Sequence, residues 1–310
     1  MSKENNPLYF GNWTLEYAIN GIRDLQIRDI NSEVYDSATE TVIDVSERGK
    51  WEQDWMFVRI PRIPQAKEIF IRFAGMSWRN LSLQAPNITW HLQAVVTPNQ
   101  RIDTGKPNNS PQAFSKPMYR IPLGQEKHIQ ITTLDPDGDF VKCALSKNQE
   151  AYLLATIKLP DVTVTEDCII KIPAYRSLGY QNGTFGGIAV TIRDYKEQLQ
   201  FSSIGLQFLV QFLEVINEPK LIYKTPDDRH RFNVYYGTTW QIDLFAEAVT
   251  PAIIDHFSYV RRQENLTFTE MKNVSVPDYK NVTMATLTWS PLQSDVGEHI
   301  VCVNVEDSVG

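Results

Sequence analysis

Three aspartates within five residues, Asp135, Asp137 and Asp139 of DPDGD, gather hard oxygen ligands around Gly138, the kind of turn that suits calcium. The spacing is not that of an EF-hand, whose twelfth position would be Glu and is Ser146 here. The simpler reading is a solvated turn with Gly138 at positive φ, and calcium is the less favoured one. Eight Asn-x-Ser/Thr motifs begin at Asn12, Asn80, Asn87, Asn108, Asn182, Asn265, Asn273 and Asn281, none with a central proline. Chance placement of the same residues gives roughly two, so the excess points to N-linked glycans and the secretory route. Cys143, Cys168 and Cys302 allow one internal bridge. Cys143 with Cys168 is the preferred pair, closing its loop for about 3 to 4 kcal/mol in the chain-entropy model. Cys302 then remains as a buried thiol, or as a bond to another chain or to sequence beyond Gly310. Unrelated cysteine spacings make no zinc site.

Other candidate chemistry is sparse. Trp51, Trp55, Trp78 and Trp90 are candidates for a platform that stacks sugar rings, although Trp90 lies on an alternating strand, where core packing is the default. His91, His128, His230, His256 and His299 fall singly, and the sequence contains no G-x-S-x-G, H-E-x-x-H or G-x-x-x-x-G-K-[ST] motif. The expectation is a non-enzymatic protein with no catalytic residues and no cofactor beyond covalent glycans.

Those residues need elements to hold them. The 310 residues are 42% hydrophobic and 22% charged, which suits about two globular domains. Net charge is -7, pI is near 5.3, and Lys and Arg do not cluster, so nucleic acid is not an expected partner. The richest apolar run, Ser203 to Ile216, is broken by Gly205, Gln207, Gln211 and Glu214, and reads as a buried strand rather than a membrane span. Runs such as IFIRF (Ile69 to Phe73), YLLATIKL (Tyr152 to Leu159), IAVTI (Ile188 to Ile192) and LQFLVQFLEV (Leu206 to Val215) are β-branched or aromatic and bounded by turn residues. An all-β chain follows. Residues 1–33 form an N-terminal segment, 34–215 a jelly-roll-like β-sandwich, and 216–310 an immunoglobulin-like sandwich. Strands of the last are expected at FNVYY (Phe232 to Tyr236) and at TWQIDLFAEAV, where Trp240, Ile242, Leu244 and Ala246 alternate toward one buried face.

The stretch LTWSPLQSDVGEHIVCVNVEDSVG (Leu287 to Gly310), through Trp289, Pro291, Asp295, Gly297, Asp307 and Gly310, resembles the closing strands of Ig-like and cadherin-like extracellular modules. RIDTGKPNNSP (Arg101 to Pro111), DPDGDFVKC (Asp135 to Cys143) and IAVTIRDY followed by SSIGLQFLVQF resemble a repeat of large secreted or surface proteins of invertebrate animals. The resemblance implies fold and an extracellular or cell-surface location more than activity. The opening MSKENNPLYF shows no basic-then-apolar leader. A longer precursor, an excerpt, or a chain outside the secretory route are the readings that this leaves.

In modules of that type a final edge strand follows the D-S-x-G turn, so 216–310 reads as one strand short. An open slot of that kind recruits a strand. Leu15, Tyr17 and Ile19 of NWTLEYAI, and Leu25 and Ile27 of DLQIRDI, alternate as a donor strand would. The leading functional expectation is therefore an N-glycosylated structural protein whose copies polymerise head to tail into fibrils or a surface coat by strand donation. An adhesion or carbohydrate-binding module of a large surface protein is the alternative. Pairing of the N-terminal segment within its own domain is the competing reading of the donor residues.

Overall fold

The computed structural model describes residues 81–84, 89–227, 230–259 and 265–308, with the placement of strands at 11–18, 28–29, 38–46, 51–58 and 68–77. The chain is all-β and divides into two compact units, 1–39 with 57–216 and 40–56 with 217–310. Strands β1 (Gly11–Ala18), β2 (Arg28–Asp29), β3 (Ala38–Ser46), β4 (Trp51–Val58), β5 (Glu68–Ser77) and β6 (Thr89–Val96) come first. Short β7 (Gln112–Phe114), β8 (Met118–Pro122), β9 (Glu126–Gln130) and β10 (Thr132–Leu134) lead to β11 (Phe140–Leu145). Two single-turn helices, α1 (Asn148–Ala151) and α2 (Leu153–Thr156), precede β12 (Thr163–Val164), β13 (Ile169–Pro173), β14 (Phe185–Lys196) and β15 (Leu199–Leu213).

In the first unit one large sheet runs β11-β14-β15-β6-β5-β1-β2, with β8 parallel to β15. It packs on the β12-β13-β9 sheet. Between them lie Ile129 of β9, Ile170 and Ile172 of β13, Ile188, Val190 and Ile192 of β14, and Phe208, Val210 and Phe212 of β15. Period-2 alternation aims these side chains at one face. The Tyr180 ring stacks on Phe212 at 4.4 Å and its hydroxyl donates to the Pro160 carbonyl at 2.6 Å, so its polar end is satisfied inside the core.

β14 is covered on both faces. Its second face carries Gly187 and Ala189, small enough for Leu81, Leu154 and Ala155 to close over them. This corrects the strand expected at Tyr152 to Leu159. Leu154 and Ala155 are adjacent and both buried, which a strand facing one sheet does not provide and a helical turn does. The Glu150 carboxylate caps α1 by accepting the Lys147 N–H at 2.6 Å. A β-carbon on Gly187 would stand 2.7 Å from Leu154 Cδ1. Gly187→Val is therefore expected to cost about 1–3 kcal/mol through overpacking, measured by urea unfolding of the full chain.

The second unit holds β16 (Lys220–Leu221), β17 (Trp240–Glu247), β18 (Ile254–Tyr259), β19 (Leu266–Phe268), β20 (Lys272–Val274), β21 (Val282–Trp289) and β22 (Val303–Asp307). One sheet runs β16-β17-β21-β19 with β20 also on β21, and the other, among the described residues, is the β18-β22 pair. Leu244 and Ala246 are buried as the alternation requires, and Trp240 and Ile242 pack half-buried on the same core. The strand expected at Phe232 to Tyr236 does not form. Those residues are irregular, and Phe232, Tyr235 and Tyr236 are exposed. β-propensity alone does not make a strand without a neighbour to bond.

Candidate functional site

The most developed polar arrangement lies in the first unit, around Arg101. Its loop follows β6 and is closed by the Arg101 N–H to the Lys106 carbonyl and the Gly105 N–H to the Arg101 carbonyl, both at 2.9 Å. The side chain is only 2% exposed. Both terminal nitrogens donate to Asp139, Nη2 to Oδ1 at 3.0 Å and Nη1 to Oδ2, a fork-on-carboxylate pair. Nε and Nη2 take the two oxygens of Asp103 at 3.0 and 2.8 Å, and Nη1 donates to Asn108 Oδ1 at 2.8 Å. Asp137 lies 3.5 Å from Nη1, and the guanidinium sits 4.2 Å over the Phe201 ring.

Two further elements are tied in through Asn108, whose Nδ2 donates to Asp194 Oδ2 at 2.6 Å. Asp194 is fully buried and also accepts the Ser202 N–H at 2.5 Å and the Ser202 hydroxyl at 2.9 Å. It stands on β14 where the register with β15 shifts between Arg193 and Tyr195, and a bulge of this kind re-aims a side chain. The DPDGD turn supplies the rest. Asp135 Oδ1 accepts the N–H groups of Asp137 and Asp139 at 2.9 and 3.1 Å, and Gly138 has φ +74°. Asp137 accepts the Asn109 N–H at 2.7 Å and its amide at 2.8 Å.

Hydrogen bonds donated to Asp103 and then to Asp139 hold the Arg101 guanidinium charged, its pKa above the ordinary value. The reciprocal bond from Arg101 holds Asp103 below the usual carboxylate range, while burial raises Asp135. The solvated-turn reading of DPDGD is thereby corrected, because Asp135 and Asp139 are each 7% exposed. Sequence reasoning did not single out Arg101, Asp103, Asn109, Asp194 or Ser202. A signal was present: RIDTGKPNNSP, DPDGDFVKC and IAVTIRDY-SSI all contribute residues to this one network.

The glycan candidates separate by exposure. Asn182, Asn265, Asn273 and Asn281 are exposed, with Asn265 and Asn281 in left-handed turns. Asn281 Nδ2 donates to the Ala252 carbonyl, a bond that the second amide hydrogen can keep after glycan attachment. Asn108 is 8% exposed and its amide is engaged as above, which corrects its place among accessible acceptors. Asn12 lies on β1, while Asn80 and Asn87 fall outside the described residues. Glycopeptide mapping of the chain expressed through a secretory pathway is expected to find glycans at Asn182, Asn265, Asn273 and Asn281 and none at Asn108.

Cys143 and Cys168 are bonded, S–S 1.99 Å, and both are buried. Cys302 is half-buried and outside any disulfide. The described tryptophan candidates fall on two strands. Trp90 is on β6, edge-on to Phe73 at 5.0 Å, Trp51 and Trp55 are on β4, and Trp78 is outside the described residues. Of the two readings of the donor residues, β1 follows the one in which the segment pairs within its own domain: it runs antiparallel to β5 of its own sheet, Leu15 opposite Ile71 and Tyr17 opposite Ile69. Eight ladder pairs would have to break before it could serve a neighbour. Ile19, Leu25 and Ile27 lie outside the described residues. No helix among the described residues is long and apolar enough to cross a membrane.

No protein-family model matches the sequence, and no curated protein matches it. Solved structures that are similar include titin Ig tandem domains A164-A165, at 9% identity over 64% of this chain and 96% of that one, TM-score 0.20. Drosophila OTK extracellular domains 3-5 are 12% identical over 99% and 84%, TM-score 0.20. PcdhgB3 EC1-4 is 12% identical over 94% and 66%, TM-score 0.22.

Proposed function

We propose that this chain is a non-enzymatic, N-glycosylated extracellular segment of adhesion type, two β-sandwich units that make contacts between surfaces rather than a polymer. The observation that carries the extracellular reading is the Cys143–Cys168 disulfide, buried at 3% and 2% exposure in the core of the first unit. Such bonds persist in oxidising compartments. Four acceptor asparagines stand exposed on the same chain, and glycans there would project into solvent without touching either core. Adhesion is favoured over strand donation because the donor candidate is already spent in its own sheet.

The test is to express the chain through a secretory pathway and coat beads with it. Bead-to-bead or bead-to-cell aggregation, lost when the first unit is unfolded by reduction and heat, supports the reading. Discrete species in sedimentation velocity are expected alongside. Uniform filaments in electron micrographs of the native material would overturn it in favour of the polymer, and secretion without glycan or disulfide would remove its basis.

A further inference from the structure

Charge does not balance around Arg101. Five carboxylates, Asp103, Asp135, Asp137, Asp139 and Asp194, meet in one hydrogen-bonded network with a single guanidinium. Arg101, Asp135, Asp139 and Asp194 are each buried, where an uncompensated charge is costly. Lys196 is exposed, and its pull on Asp103 is the weakest of those that act on that carboxylate. A second observation points to where the missing positive charge belongs. Asp135 Oδ2 is buried and has no hydrogen-bond partner, in a residue only 7% exposed. Ligand oxygens of Asp135, Asp137 and Asp139 lie within 4.8 Å of one another, a spacing that one ion bonded to all three can span.

We propose that Asp135, Asp137 and Asp139 hold a calcium ion that shares Asp137 and Asp139 with the Arg101 guanidinium. A carboxylate has about four acceptor positions, and Arg101 takes only one on each oxygen of Asp139. All-oxygen ligands, three carboxylates and a flexible glycine turn select a hard, large dication over zinc or copper. Carbonyls and water complete the shell. The site stands independently of the adhesion reading, since it concerns the charge of the first unit alone.

The test is calorimetric titration of the full wild-type chain, stripped with chelator, with calcium chloride, together with the thermal midpoint in calcium and in chelator. Saturable binding of one ion per chain, with half-saturation at about 0.1–1 mM as in extracellular modules, is expected, with a higher midpoint in calcium. Asp135→Asn and Asp137→Asn each weaken binding about tenfold or more while circular dichroism is unchanged. Asp137 is the more exposed of the two, so its variant keeps the test decisive if Asp135→Asn does not fold. Silence of the wild type up to about 10 mM calcium, or equal binding by wild type and variants, overturns the proposal. So does an Asp135→Asn chain that is more stable than a calcium-silent wild type, which gives the surplus charge to a proton on Asp135 instead.

Discussion

Arg101→Met lowers the stability of the first unit by about 3–5 kcal/mol, the scale for removing one partner of a buried ion pair. Methionine keeps an unbranched apolar stem and can still lie against Phe201, so packing is largely conserved and the charge is what is lost. Asp139, with a side chain at 0% exposure, is then left with neither its bidentate partner nor water. Asn108 loses the donor on Oδ1, and its hold on Asp194 loosens with it. The loop after β6, the DPDGD turn and the β14–β15 pair, which these side chains join, then lose that junction together. Urea unfolding followed by circular dichroism measures the loss. Arg101→Lys is expected to recover less than half, because an ammonium cannot make the fork with Asp139 and the two bonds to Asp103 at once. A loss below about 1 kcal/mol for methionine would assign the cluster to the exposed, solvent-screened class and reject the buried network.

Cys143→Ala with Cys168→Ala is expected to cost about 3–4 kcal/mol, through the loop of 25 residues that the bond closes in the unfolded chain. The bond joins β11 to the turn before β13, in two sheets that also meet by apolar packing. One backbone bond supports the same junction, the Cys143 N–H donating to the Glu166 carbonyl at 3.0 Å. The folded unit is therefore expected to survive the loss of the disulfide at low temperature, with a lower midpoint. Cys168 has φ +63°, so Cys143→Ala with Cys168→Gly should fall less far than the double alanine. Differential scanning calorimetry of the two double variants separates backbone strain from loop closure. An unchanged midpoint in both would show that the sheets are held by packing alone.

The strands were legible where local pattern and partner agree. Val190, Ile192, Phe208 and Phe212 are apolar at period 2, and the two long strands that carry them pair with each other across a short turn. The bond between Cys143 and Cys168 was legible for the same reason, as two cysteines near in sequence within one expected sandwich. Tyr152 to Leu159 was misread because Leu, Ala, Ile and Tyr serve either a strand or a buried helical turn, and only the small residues Gly187 and Ala189 on β14 settle which. Phe232 to Tyr236 was misread because aromatic content signals a strand whether or not a neighbour is there to bond. Asn108 looked like any other glycan acceptor, since its tripeptide carries no mark of its burial.

The sequence by itself determined the all-β class and the cysteine pairing. These depend on composition, periodicity and short-range spacing, which a chain carries along its length. Tertiary structure alone decided that β1 belongs to its own sheet, that Asn108 is an internal ligand rather than a surface acceptor, and that Arg101 meets Asp139 across a separation of 38 residues. Pairing, burial and charge compensation are properties of two distant segments at once, and no single stretch of the chain contains them.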